Sequence, residues 1–223
     1  MPMAPREFDR RYGELDQVLR AYTGQPADDT PEHRSDALTA YLRHTWRYRP
    51  WTLVTAEAQV RDHARNPPGT LRIRLGEFYS VPDVQVPGGD VRAWLLVIAD
   101  HIGRSVDEGD APRPESPVTH WEWHARFPEL AQLLGGWFSQ DMPDEFEDHA
   151  AALVDYLEST DPQLVAGLVG EVHELLALPL DDPDCAVALA SLGMEVDPPT
   201  PHGPRSWLRG AADTLVSGLS AGR

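Results

Sequence analysis

Lysine is absent from this 223-residue sequence: all 19 cationic side chains are arginine, and they stand against 36 carboxylates. Cations are scarcest in the second half. Residues 1–115 hold 15 arginines and 18 acids, a balance of −3, whereas residues 116–223 hold 4 arginines and 18 acids, a balance of −14. A field of that sign repels phosphate, which argues against nucleic acid and anionic membranes as partners and favours a basic protein. Cysteine occurs once, at Cys185, so no internal disulfide can form. No apolar run approaches the roughly 20 residues of a membrane span. The opening stretch MPMAPREFDRRYGELD has no apolar segment behind its charges, so a cytoplasmic protein is expected. A Gly-rich phosphate loop, a nucleophile elbow and a Cys/His cluster are all missing, so neither catalysis nor a cofactor is expected. His120 and His124 sit at metal-binding i, i+4 spacing, but no third ligand occurs at a fixed interval, and the pair reads as the start of a helix.

The chain does contain a repetition. Residues 11–42 align without gaps on 126–157, at a constant offset of 115. Identical pairs include Arg11/Arg126, Glu14/Glu129, Leu15/Leu130, Gln25/Gln140, Asp29/Asp144, Glu32/Glu147, Leu38/Leu153 and Tyr41/Tyr156. Near the ends of the halves the offset becomes 113, where Arg92, Trp94, Leu95, Ala99 and Asp100 match Arg205, Trp207, Leu208, Ala212 and Asp213. The middles align poorly. A duplication followed by divergence accounts for this pattern. Between the copies, DEGDAPRPESPV is rich in proline and acid and poor in apolar groups, which reads as a linker. The expected organisation is a diverged first module over 8–106, a linker over 107–120 and a second module over 121–221.

Helical spacing dominates the second copy. Phe127, Leu130, Leu133, Leu134 and Trp137 make one helix; Phe146, Ala150, Leu153, Val154 and Leu157 a second. Asp161-Pro162 and Asp182-Pro183 are cap-plus-proline starts of a third and a fourth, and Leu208, Ala212, Leu215 and Leu219 mark a fifth. The first copy has the same plan, with Thr30-Pro31 as another such start. The expected fold is all-α, two tandem helical bundles of about five helices each. Residues 70–75, TLRIRL, alternate like a strand, but their counterpart reads as helix, and helix is expected there too.

Three features of the second copy bear on function. Gly135-Gly136 weakens an apolar helix, by roughly 1 kcal/mol per glycine, so either the helix ends there or another backbone packs close. Trp137 and Phe138 are adjacent and cannot share a helical face, and Phe138 is expected to be the more exposed. The acids Asp141, Asp144, Glu145, Glu147 and Asp148 surround a helix start. They suit a basic partner, but acids there are also favoured by the helix dipole, and Asp144 could be the cap.

The stretches Phe127-Pro128-Glu129-Leu130, Leu134-Gly135-Gly136-Trp137-Phe138-Ser139-Gln140-Asp141 and Asp197-Pro198-Pro199, with Trp207-Leu208 after them, resemble the all-helical CdiI-type immunity proteins of bacterial contact-dependent growth inhibition, in the group associated with RNase-A-like toxins. The likeness covers about 95 residues of the second copy. The first copy keeps Tyr22 and Gln25 but has Arg20, Ala21 and Pro26 where the glycines and the aspartate would be. The resemblance implies a non-catalytic antitoxin that covers the basic active site of a toxin, a ribonuclease or other nuclease. The candidate contact residues are Phe138, Gln140, Asp141, Asp144, Glu145, Glu147 and Asp148. The other reading is a helical scaffold or regulatory adaptor with no toxin partner.

Overall fold

A computed structural model describes residues 5–66, 86, 89–113 and 115–221. The chain divides into two compact units, Met1–Glu122 and Trp123–Arg223. Among the described residues there are eleven α-helices, one 3-10 turn at Pro50–Thr52 and no strand, only an isolated bridge between Thr30 and His33. The all-α expectation holds. Residues 70–75 lie outside the described residues.

The first unit contains α1 (Pro5–Ala21), α2 (Asp36–Tyr48), α3 (Leu53–Arg65) and α4 (Val91–Glu108). α1 is kinked at Tyr12, whose φ of −134° is not helical. α2 does not begin at Thr30-Pro31 as that dipeptide suggests. The Thr30 hydroxyl accepts the amide of His33 in a local turn, and the helix starts further on, where Ser35 caps the amide of Leu38. α3 packs on α1 and α4 around Leu15, Leu19, Leu38, Leu53, Val60 and Trp94. A core of this kind is what the apolar face of each helix requires.

The second unit contains most of α5 (His120–Arg126), then α6 (Pro128–Trp137), the single turn α7 (Met142–Glu145), α8 (His149–Ser159), α9 (Pro162–Ala177), α10 (Asp182–Ser191) and α11 (Pro204–Ala221). The aspartate cap foreseen for α9 is present, and that of α10 falls one residue earlier than expected. Asp161 accepts the amide of Gln163 at 2.7 Å, and Asp181, one residue before the expected cap, accepts that of Asp184 at 2.8 Å. α9 and α11 pack face to face, with α6, α8 and α10 around them. Phe127, Leu130, Leu134, Tyr156, Leu168, Cys185 and Leu215 fill the centre. Cys185 is buried, and burial pushes its thiol up to about 11, so it stays protonated and packs as an apolar group.

Several local arrangements recur in both units. The non-helical break at Tyr12 has its counterpart at Phe127, φ −129°, between α5 and α6. In the first unit the Gln59 side chain of α3 accepts the amides of Glu14 and Leu15; in the second the Glu171 side chain of α9 accepts those of Glu129 and Leu130. Arg11 pairs with Asp62 at 2.9 Å, and Arg126 with Glu174 at 2.8 Å. The middle segments, which match poorly in sequence, therefore correspond at an offset of 112, with Leu53, Ala56 and Val60 buried like Val165, Leu168 and Val172.

The stretch expected to be a linker, 107–120, begins inside the last turn of α4, and Gly109 closes that helix in the left-handed conformation, φ +65°. Beyond Gly109 the chain is fastened to the first unit. Asp110 pairs with Arg34 at 2.8 Å, and Arg43 reaches Glu115, the carbonyl of Ser116 and both oxygens of Glu122.

Candidate partner-binding surface

α6 ends where its sequence turns small and aromatic. Gly135 and Gly136 form its last turn, and an added Cβ at either would meet nothing within 4 Å among the described residues. The close approach lies on the other side. Gly193 has φ +102°, and a Cβ there would stand 3.0 Å from the Cα of Gly135. Both readings of the glycine pair thus apply: the helix terminates, and a second backbone packs on it.

Phe138 is the first residue past the helix, at φ −121°, ψ 27°. That turn swings its side chain inward. The ring is fully buried, edge-on to Trp207 at 5.1 Å and tilted against His149 at 5.4 Å. Phe138 is therefore a core residue, and the expectation that it faces a partner is corrected. Of the two aromatics it is Trp137 that reaches the surface, half-buried on the ring of Tyr156, with its indole N–H donating to Asp155 at 2.9 Å. Helical periodicity could not reveal this, because the periodicity stops between the two residues.

The loop after Phe138 is anchored and then turns its acids outward. Glu195 donates its amide to the carbonyl of Phe138, and its side chain accepts the amide of Gln140, both at 2.9 Å. Gln140, Asp141, Asp144, Glu145, Glu147 and Asp148 are all exposed. The cap of α8 is Asp148, not Asp144: its side chain accepts the amide of Ala151 at 2.8 Å. The main-chain carbonyl of Asp141 holds the α7 turn by accepting the amides of Asp144 and Glu145. None of these carboxylates has an ion-pair partner among the described residues. Among the described arginines of this unit, Arg126 is paired with Glu174, Arg205 donates to the carbonyls of Leu176 and Leu180 at the end of α9 and beyond it, and Arg209 is exposed on α11. Asp155, Glu158 and Asp161 extend the exposed acidic surface along α8. Concentrated, unneutralised acids of this kind attract a basic surface and speed its approach.

The equivalent loop of the first unit is built the opposite way. Asp29, which aligns with Asp144, is 5% exposed and accepts from the amide of Ser35 (2.8 Å), the hydroxyl of Tyr22 (2.9 Å) and the indole of Trp94 (3.4 Å). One carboxylate is turned into a structural clasp where its counterpart is left to solvent.

Compared with known protein families, residues 126–215 match the model of the CdiI immunity protein. The second unit carries a CdiI-type immunity module. An immunity role goes with that match, and a toxin is the partner that role implies. No curated protein and no solved structure matches the chain significantly. Within the CdiI-type module, the exposed acids cluster on the loop between α6 and α8, and the aromatic core beneath them, Phe138, His149 and Trp207, holds that loop in place. Desolvation lowers the pKa of His149 below its ordinary value, which suits a ring packed against two aromatics. No described helix is long and apolar enough to cross a membrane.

Proposed function

We infer that the CdiI-type module neutralises a basic toxin, a ribonuclease or other nuclease acting in the cytoplasm, by laying the acidic loop over its phosphate-binding site, without catalysis of its own. The observation that carries this reading is the exposed set Gln140, Asp141, Asp144, Glu145, Glu147 and Asp148, whose carboxylates are unpaired among the described residues and held on a pinned loop. A nuclease site must be positive to hold phosphate, and a preformed acidic surface competes for it while steering rapid association. The first unit is read as a diverged second copy of the module. Its recurring break, amide clip and arginine pair support descent from one ancestor, and its inward Asp29 supports a structural rather than toxin-binding role.

The test uses the full chain and the toxin domain encoded beside it. Changing Asp141, Asp144 and Asp148 to Asn and Glu147 to Gln should slow association at low salt and flatten its salt dependence, read by stopped-flow or surface binding. Unchanged rates would remove the acidic loop from the interface. If the chain captures no neighbouring toxin at all, the scaffold or adaptor reading takes its place.

A further inference from the structure

The first unit covers a helix face that the second leaves bare. In α2 the outward residues Ala40 and Arg43 correspond to Asp155 and Glu158 of α8, and Tyr41 corresponds to Tyr156. Ala40 is fully buried, and the side chain of Arg43 is only 10% exposed. Over Tyr41, Arg43 and His44 the cover is the chain's own segment 115–122. Arg43 bonds both carboxylate oxygens of Glu122 at 3.2 Å and the carbonyl of Ser116 at 3.5 Å. Trp121 lays its ring edge-on to His44 at 5.4 Å and tilted against Tyr41 at 6.2 Å. The segment is itself braced, since Glu122 also accepts the amide of Val118 and donates its own amide to Thr119.

On α8 the corresponding positions lie open. Val154 is 48% exposed, Asp155 and Glu158 are exposed, and Trp137 borders them. The central charge is reversed, with Glu158 where the first unit has Arg43. That reversal excludes the chain's own segment as an occupant: a second copy would bring Glu115 and Glu122 against Glu158 and Asp155, and like charges at close quarters oppose docking.

We propose that the outer face of α8, centred on Val154, Asp155 and Glu158, docks a partner segment that carries an arginine or lysine next to an aromatic side chain, the charge-reversed counterpart of residues 115–122. The inference rests on reading the second unit as an immunity module, and it makes that segment part of the toxin. The cation takes the place of Glu122 and meets Glu158; the aromatic takes the place of Trp121 and packs over the edge of Tyr156 beside Trp137. A face of this kind supplies an aromatic anchor next to a charge pair, the composition that dominates binding energy at protein interfaces.

The probe is a labelled synthetic peptide of residues 113–123 with Glu115→Arg and Glu122→Arg, titrated against the full-length chain, beside the peptide of native sequence. The reversed peptide should bind saturably and the native one at least about tenfold more weakly. Glu158→Arg in the chain, at an exposed position that leaves the fold intact by circular dichroism, should invert that preference. The four-charge variant of the 141–148 loop should bind the reversed peptide like the parent. No saturable binding, or binding indifferent to Glu158→Arg, overturns the proposal, and so does binding lost only in the loop variant. Toxin capture by the full chain tests the immunity reading separately, so the two can fail independently.

Discussion

At the scale of single residues, burial and backbone conformation decide roles that residue type leaves open. Phe138→Ala should remove about 3–5 kcal/mol of stability from the second unit, because its ring fills the space between Trp207 and His149. A urea titration read by tryptophan fluorescence measures this loss, and a change under about 1 kcal/mol would contradict the buried placement. Glu171 offers a pH test. It is partly buried beside Glu129 and Glu174, and desolvation raises its carboxyl to about 7 despite the two amides it accepts. A folded-state pKa above the unfolded one means the native state binds more protons across the interval between them. Stability is then full below about pH 4.5 and falls as pH rises through 7. Glu171→Gln removes the charge and keeps one of the two acceptor oxygens, and the single Oε1 of Gln59 in the first unit shows that one oxygen can accept both amides. We expect it to stabilise the protein at pH 8 by no more than about 1–2 kcal/mol, after allowing for solvent screening, and to change nothing at pH 4. Equal denaturation midpoints for variant and parent at pH 8 would refute the assignment.

At the scale of elements, the segment after α4 is the clearest departure from expectation. Its composition is that of a linker, yet Arg34 and Arg43 bind it to the first unit through Asp110 and Glu122. Glu122 is 2% exposed, so Glu122→Ala leaves a guanidinium in a poorly solvated place without the carboxylate that faces it. Breaking a buried pair from one side costs about 3–5 kcal/mol. The variant should show faster amide exchange and earlier protease cleavage within residues 109–119 than the parent; identical cleavage rates would mean that the pair does not hold the segment. Gly193→Ala belongs to the same scale, because it forces a Cβ into the α6 backbone at a left-handed turn. A loss of about 1–3 kcal/mol is expected, whereas Gly135→Ala and Gly136→Ala, which point into open space, should be neutral or stabilising. Thermal melts of the three variants separate these outcomes.

At the scale of the whole molecule, the proposed function makes the charge asymmetry a testable difference between the two units. The second half carries −14 against −3, and of its described arginines Arg126 and Arg205 are used inside the fold while Arg209 is exposed on α11. Neutralising Asp28, Glu32 and Asp36 on the first unit should leave toxin association within about twofold of the parent, while the loop variant of the second unit falls well below it. Association rates at two salt concentrations check this, and an equal effect of the two sets would assign toxin contact to both units. Asp29 stands outside that comparison. Asp29→Asn weakens the clasp on Ser35, Tyr22 and Trp94 and should unfold the first unit at lower denaturant.

Much of this molecule is legible in its linear sequence. The all-α class, the aspartate cap of α9, the buried faces of α6 and α11 and the likeness of the second half to the immunity proteins all come from local spacing, because helix periodicity and capping act over three or four residues. Of the apolar positions assigned by spacing to α8 only Leu153 is buried, while Ala150 and Val154 are exposed. Other features are settled only where distant elements meet. Phe138 points inward because α6 stops one residue earlier and Trp207 and His149 are there to receive it. Asp29 is a clasp and Asp144 a free acid because Tyr22, Ser35 and Trp94 surround the first, while no such donors face the second among the described residues. Gln59 and Glu171 are counterparts although their neighbourhoods share little sequence, since each meets the amides at a helix break. Residue identity determines what a side chain can bond. Whether it bonds within the fold or remains for a partner depends on which groups the chain brings to it from far along the sequence.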